Sequence, residues 1–254
     1  MSLEVLLDPL FRVPFVVGLI VALVLPLLGV LLRLRDEWLA ALGFAHLAGA
    51  SGLIGLAAGV PVVFGGIIGA VLGAGIKSFG RHRGNTVFAL MLLIGWAVTL
   101  LVAANTALGD AVGHALIDGQ LYFAGRVHLY GSLAFLALSA LLLPWIAPRL
   151  VRARLFPGHE AANQLPAWRW HLSFDVMVAL AMALGTGTVG LMGAFALVFI
   201  PPWIGFRFAS HWHACLRLSV LAGVAGYLAA FIIALMLDQP FGPVLVMVLV
   251  VMAA

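Results

Sequence analysis

Uncharged stretches of membrane length dominate this chain. Residues 13–32, 84–109, 129–148, 176–206, 218–237 and 239–254 contain no Asp, Glu, Lys or Arg, and 38–76 holds only His46 as an ionisable group. A helix needs about 20 apolar residues to cross the hydrocarbon, so 38–76 and 176–206 are each long enough for two crossings or re-entrant pieces. Backbone polar groups in lipid must be paired internally, which leaves helices and closed barrels. A barrel shows short alternating strands, and the continuous apolar runs do not. The expected fold is therefore all-α, a polytopic membrane bundle of about eight or nine transmembrane helices, forming one domain over residues 1–254. Charged residues make up only 9% of the chain, against roughly 25% in a soluble domain, so no water-facing surface can be built from this inventory.

The few charges carry the orientation. Threading the runs in order puts Arg33 and Arg35, then Lys77, Arg81 and Arg83, then Arg149, Arg152, Arg154 and Arg169, then Arg207 and Arg217 on one side. The excess of Lys and Arg marks that side as the cytoplasm, and the location implied is a multi-pass protein of the cell's inner, cytoplasmic membrane. Gly59–Pro61, residues 105–128 and the turn at Asp238 fall outside, with Arg12 and Arg126 as the outer exceptions. The net charge of +4 thus reflects loop signals, and nucleic acid is not an expected partner. Residues 1–12 carry Glu4, Asp8 and Arg12 without a basic start or a small-residue cleavage site, so no cleavable signal peptide is expected. The single Cys215 excludes an internal disulfide.

No Gly-x-x-x-x-Gly-Lys-Ser/Thr phosphate loop is present, so any ATP chemistry belongs to another subunit. The longest cytoplasmic loop is expected at 149–172, where a basic start, a Pro157-Gly158 break and the Trp168/Trp170 pair suit a short interfacial helix.

Several motifs resemble the permease subunits of the zinc and manganese type of ABC importer. An apolar run closed by Asp-Gln-Pro-Phe-Gly-Pro (Asp238–Pro243) is similar to the family's Asp-x-Pro-x-Gly-Pro turn. The run from Val189-Gly190 to Pro201-Pro202 resembles its Val-Gly … Leu-Leu-Ile-Ile-Pro-Ala signature, after a Gly/Thr-rich helix. Gly29, Arg33, Arg35 and Ala45-His46 follow the family order of Gly, Arg-Arg and Gly-Asp-x-x-x-His, and 117–129 is similar to its Leu-Phe-Gly-Asp-Ile-Leu segment. The resemblance implies two permease copies, two cytoplasmic ATPase subunits that hold the ATP, and an extracytoplasmic metal-binding protein. It also implies ATPase coupling through 149–172, at Arg154, Gly158, Glu160 and Ala161. The family's Asp four residues before the histidine is Leu42 here, and its later carboxylates fall on Gln120 and His128.

The ionisable groups point to chemistry at two places. A histidine inside hydrocarbon faces protein or a wet path, and imidazole suits zinc and other borderline metals. His46 is therefore a candidate metal contact, the competing role being a hydrogen bond to a neighbouring carbonyl or to Ser51. Asp110, His114 and Asp118 recur every four residues, which on a helix gives a carboxylate–imidazole–carboxylate stripe fit for Zn²⁺ or Mn²⁺ at the outer mouth. A wet helix edge, a capping pair or docking contacts compete with that reading. His128 with Arg126 is expected to start the next helix, and His82, His211 and His213 to be solvated on the cytoplasmic side. Asp175 reads as a helix N-cap, Asp238 as a turn former, and Tyr122, Phe123 and the tryptophans as interfacial anchors.

Clustered glycines, Gly65, Gly66, Gly69, Gly73 and Gly75 and then Gly185, Gly187, Gly190 and Gly193, predict close helix approach. Residues 173–206 are expected to be two short segments joined near Gly187–Gly190. Two classes of function follow: an ABC importer permease for a divalent metal, a metal chelate or another small polar solute, bound to no cofactor of its own, or an ATP-independent carrier. Secondary carriers spend paired mid-membrane carboxylates on ion coupling, and these runs contain almost none.

Overall fold

The computed structural model describes residues 9–79, 85–106, 119 and 121–254, and these are helical almost throughout. In chain order the helices are α1 (Pro9–Leu34), α2 (Leu39–Ala57), α3 (Val62–Phe79) and α4 (Asn85–Asn105), then a 3₁₀ turn (Leu121–Phe123). There follow α5 (Arg126–Leu155), the short α6 (His159–Ala162), α7 (Trp168–Thr188), α8 (Gly190–Phe208), α9 (Trp212–Leu237) and α10 (Phe241–Ala253). Among the described residues seven helices, α1, α2, α4, α5 and α7–α9, are long and apolar enough to cross a membrane, and α3 and α10 are shorter apolar helices. Together with α3 and α10 these give nine apolar helices among the described residues, the all-α bundle that the uncharged runs predict.

α1 is the central post. Val17, Ala22, Leu28, Val30 and Leu32 along it are fully buried, and it packs against α5, α7, α8 and α9. Hydrophobic burial does not drive helices together in lipid, so close van der Waals approach must. A Cβ on Gly29 would run into the Val198 carbonyl and the Pro202 ring, and one on Gly223 into Pro26. Small residues on one helix thus receive the bulk of the next.

The same device builds the second unit. α2 lies between α3 and α4 and also meets α7. Gly65 and Gly69 abut the backbone and side chain of Ser51, Gly73 meets Leu47 and Phe44, and Gly43 meets Phe88 and Met91. Most of the clustered glycines are therefore contact residues, while Gly75 and Gly187 face open space.

The break at Gly187–Gly190 is present, with α7 ending at Thr188 and α8 beginning at Gly190. Gly190 takes φ +83°, a left-handed conformation that costs other residues a steric penalty. The segments are not short, however: they run 21 and 19 residues, and α7 starts at Trp168, ahead of the expected 173. The connection at Val189–Gly190 lies against Gly119. At the turn between α9 and α10, Asp238 caps α9 in a left-handed conformation (φ 52°), which a short polar side chain tolerates. Gln239 N–H returns to the Ala234 carbonyl at 2.9 Å, and Pro240 leads into α10.

Candidate functional site

His46 lies midway along α2 and is 6% exposed. Its Nδ1 hydrogen-bonds the Leu42 carbonyl, one turn back, at 2.9 Å. A carbonyl only accepts, so Nδ1 carries the proton and Nε2 of the neutral ring presents a lone pair. Nε2 is buried and has no hydrogen-bond partner among the described residues. The ring packs 5.6 Å from Trp96, and Gly95 brings α4 so close that a Cβ there would strike the His46 backbone. The alternative contact to Ser51 is not made, because Ser51 Oγ donates to Leu47 within its own helix at 2.5 Å.

Asp110, His114 and Asp118 lie outside the described residues, as does His82. Among the described residues no group of three His, Cys, Asp or Glu side chains is placed to hold a metal. His128 sits in the first turn of α5, where its Nδ1 accepts from Gly125 N–H at 3.4 Å, as expected of a helix start. His211 and His213 are exposed at the start of α9. Tyr122 is not an interfacial anchor. It packs against Phe11, Phe231 and Phe241, and burial, reinforced by the Asp238 carboxylate, pushes its hydroxyl up to about 12. Phe123 beside it is 82% exposed.

The loop expected at 149–172 is shorter than those bounds. α5 continues through Leu155 and α7 begins at Trp168, because Arg149, Arg152 and Arg154 sit on the last turns of a helix that projects beyond the apolar run. Basic side chains there favour the helix C-terminus. The connection that remains carries α6, entered through Gly158 at φ +88°. Glu160 turns inward, accepting from Trp170 Nε1 at 2.7 Å and pairing with His171 Nε2 at 3.2 Å. Ala161 and Ala162 stay exposed, as do Leu155, Phe156 and Trp168. Arg154 reaches Asp36 in the α1–α2 connection at 2.5 Å, so this arginine already has a partner within the chain.

Asp175 is not an N-cap. It lies two turns inside α7 and is 2% exposed, and a charge at that depth requires partners. Lys77 Nζ is 2.7 Å from Asp175 and 2.9 Å from Glu37, while Arg35 is 2.6 Å from Glu37 and 3.1 Å from Asp175. The four side chains close a ring of alternating sign whose net charge is zero. Beside it opens a cavity of about 420 Å³, lined by all four and by Glu160, Trp168 and His171. Sequence reading missed this group because its members stand in three elements far apart in the chain. The available signal was scarcity: in so uncharged a protein, a carboxylate at the edge of an apolar helix has to be paired.

The family model described as the ABC 3 transport family matches residues 8–254. Among solved structures, PsaBC from Streptococcus pneumoniae in complex with Fab superposes with a TM-score of 0.81 at 14% identity, over 96% of this chain and 89% of that one. A structure described as an inward-facing conformation of a metal-chelate type ABC transporter superposes with a TM-score of 0.72 at 16% identity, over 94% of this chain and 82% of that one. At such identities the likeness is one of fold. No curated protein matches the sequence.

Proposed function

The chain belongs to the ABC 3 transport family, as a permease of the zinc and manganese type of ABC importer, and from that premise we propose that it carries a divalent metal ion, zinc or manganese, across the cytoplasmic membrane by alternating access. Two copies would form the pathway, an extracytoplasmic metal-binding protein would deliver the cargo, and a separate ATPase subunit would supply the energy. The observation that carries the metal reading is the hydrogen-bond pattern of His46. A metal-ligating histidine usually donates its other N–H to a carbonyl or carboxylate, which fixes the tautomer and aims the free nitrogen. His46 has that arrangement, with Nδ1 on the Leu42 carbonyl and Nε2 unpaired among the described residues. Asp110, His114 and Asp118 are proposed as a transient outer contact.

ATP-driven closure would reach the bundle through α6, whose exposed Ala161 and Ala162 follow the left-handed Gly158 entry. Leu42, in place of the family's carboxylate, leaves His46 without an acidic neighbour one turn away, and this favours a second reading in which the cargo is a metal chelate. The experiment is Zn²⁺ and Mn²⁺ uptake into vesicles holding the permease, its ATPase and its binding protein. His46→Ala should lower uptake by about tenfold or more, given that even the outer partners of a metal ligand are worth 10- to 100-fold, with the amount of membrane protein unchanged. Leu42→Asp should tighten binding of the bare ion, since a carboxylate one turn from an imidazole makes half a zinc site. Normal uptake by His46→Ala leaves that histidine a packing role only.

A further inference from the structure

The ring of Arg35, Glu37, Lys77 and Asp175 joins three parts of the bundle that no apolar contact needs charges to join. Arg35 and Glu37 belong to the α1–α2 connection, Lys77 to the last turn of α3 and Asp175 to the second turn of α7. Each cation lies within ion-pair distance of both anions, the Arg35–Asp175 approach without a hydrogen bond from Arg35 Nη1. Arg35 also lies over the Phe174 ring at 5.1 Å, and Lys77 over Phe88 at 5.8 Å, so both cations stay aimed inward. Burying four charges is costly in itself, and hydrophobic residues of similar volume often serve stability as well or better. A built ring in such an apolar protein therefore calls for a role beyond cohesion.

Two further features give it one. The cavity of about 420 Å³ lies against the ring, so water can take up the charges when they part, and ionic contacts open there at lower cost than in a dry core. The ring is also one helical turn from the coupling segment. Glu160 on α6 holds Trp170 and His171 in the first turn of α7, and His171 and Asp175 are four residues apart on that helix, hence on one face. Displacement of α6 is passed to the start of α7 and from there to Asp175. Asp175 in turn is bonded to the α3 end of the hairpin whose other helix, α2, carries His46.

We propose that this ring is a separable latch which transmits movement of α6 to the α2–α3 hairpin, so that the ATPase stroke changes access to His46. The proposal rests on the importer reading given above. Arg35, Glu37, Lys77 and Asp175 act as positioning residues; none touches cargo.

The test uses the permease–ATPase complex in lipid nanodiscs, in a Cys215→Ala background, with spin labels at exposed Ser78 on α3 and Arg169 on α7. Unaltered, the two labels should change separation between the nucleotide-free and ATP-bound states. Asp175→Asn, close to isosteric, should abolish that change and lower cargo-stimulated ATP hydrolysis by about tenfold, within the usual span of coupling between sites, while ATPase co-purification and basal hydrolysis stay within twofold. Lys77→Met with Asp175→Leu, which removes one charge of each sign, should do the same, and it decides the matter if Asp175→Asn does not assemble. An unchanged nucleotide-driven separation in either variant overturns the latch. Failure of both variants to assemble also overturns it, leaving the ring a structural tie. Failure of the unaltered chain to bind an ATPase would instead strike the importer reading itself.

Discussion

At the residue scale, the contrast between two glycines measures how tightly the bundle is built. Gly29 of α1 lies against the Val198 carbonyl and Pro202, with no room for a methyl group, whereas Gly75 of α3 faces open space. Overpacking a filled contact costs about 1–3 kcal/mol. Relieving a helix of an unneeded glycine returns up to about 1 kcal/mol. Gly29→Ala should therefore lower the thermal unfolding temperature of the detergent-solubilised permease, and Gly75→Ala should leave it level or raise it. Equal effects of the two would mean that α1 and α8 are not in the contact described. Side chains were legible in the sequence when their role was local. Gly190 at a chain reversal, Asp238 in a left-handed turn and His128 at a helix start all stand where spacing and residue type put them. Asp175 did not, because Ser173-x-Asp175 resembles a cap while the helix starts at Trp168, and its partners Arg35, Glu37 and Lys77 are long-range. Pairing of that kind leaves no trace in a window of neighbours.

At the scale of the element, α6 has only four residues and too few internal hydrogen bonds to stand alone. Its geometry comes from its ends: Gly158 sets the entry at φ +88°, and Glu160 is pinned to Trp170 and His171. What remains outward is a small surface of Ala161 and Ala162 flanked by Leu155, Phe156 and Trp168, suited to an apolar groove on a partner. Ala161→Arg should therefore weaken ATPase co-purification by about tenfold or more, as a charge placed in the core of an interface does, with the permease still folded. Glu160→Ala should spare binding and loosen α6 instead, read as faster proteolysis in the 156–167 connection. Intact co-purification of Ala161→Arg would move the docking surface elsewhere. The sequence marked this element by its Pro157-Gly158 break and overestimated its loop, because Arg149, Arg152 and Arg154 look like loop residues although they ride on a helix that runs past the uncharged stretch.

For the whole molecule, orientation follows from where the sparse charges lie. The excess of Lys and Arg at the ends of α1, α3, α5, α8 and α9 predicts a cytoplasmic side that would also hold α6, with the turn at Asp238 on the opposite side. This level was the most legible, since a chain with no alternative to membrane burial must show its crossings as uncharged runs. The path of the cargo was less so, because it depends on whether an exposed apolar face meets lipid or another protein. Among the described residues the most exposed spans are α4 and α5, each with only 22% of an 18-residue apolar stretch buried, and either fate is written in the same Leu, Ile and Trp residues. Orientation itself is open to a direct check. Asp238→Cys, on an exposed turn, should react with a membrane-impermeant maleimide in intact spheroplasts. Ala161→Cys should react only after the membrane is opened, and the native Cys215, 5% exposed, should stay silent in both. Labelling of Ala161→Cys from outside would invert the assignment, placing α6 where no ATPase can reach it and removing the basis on which the latch and the metal path are argued.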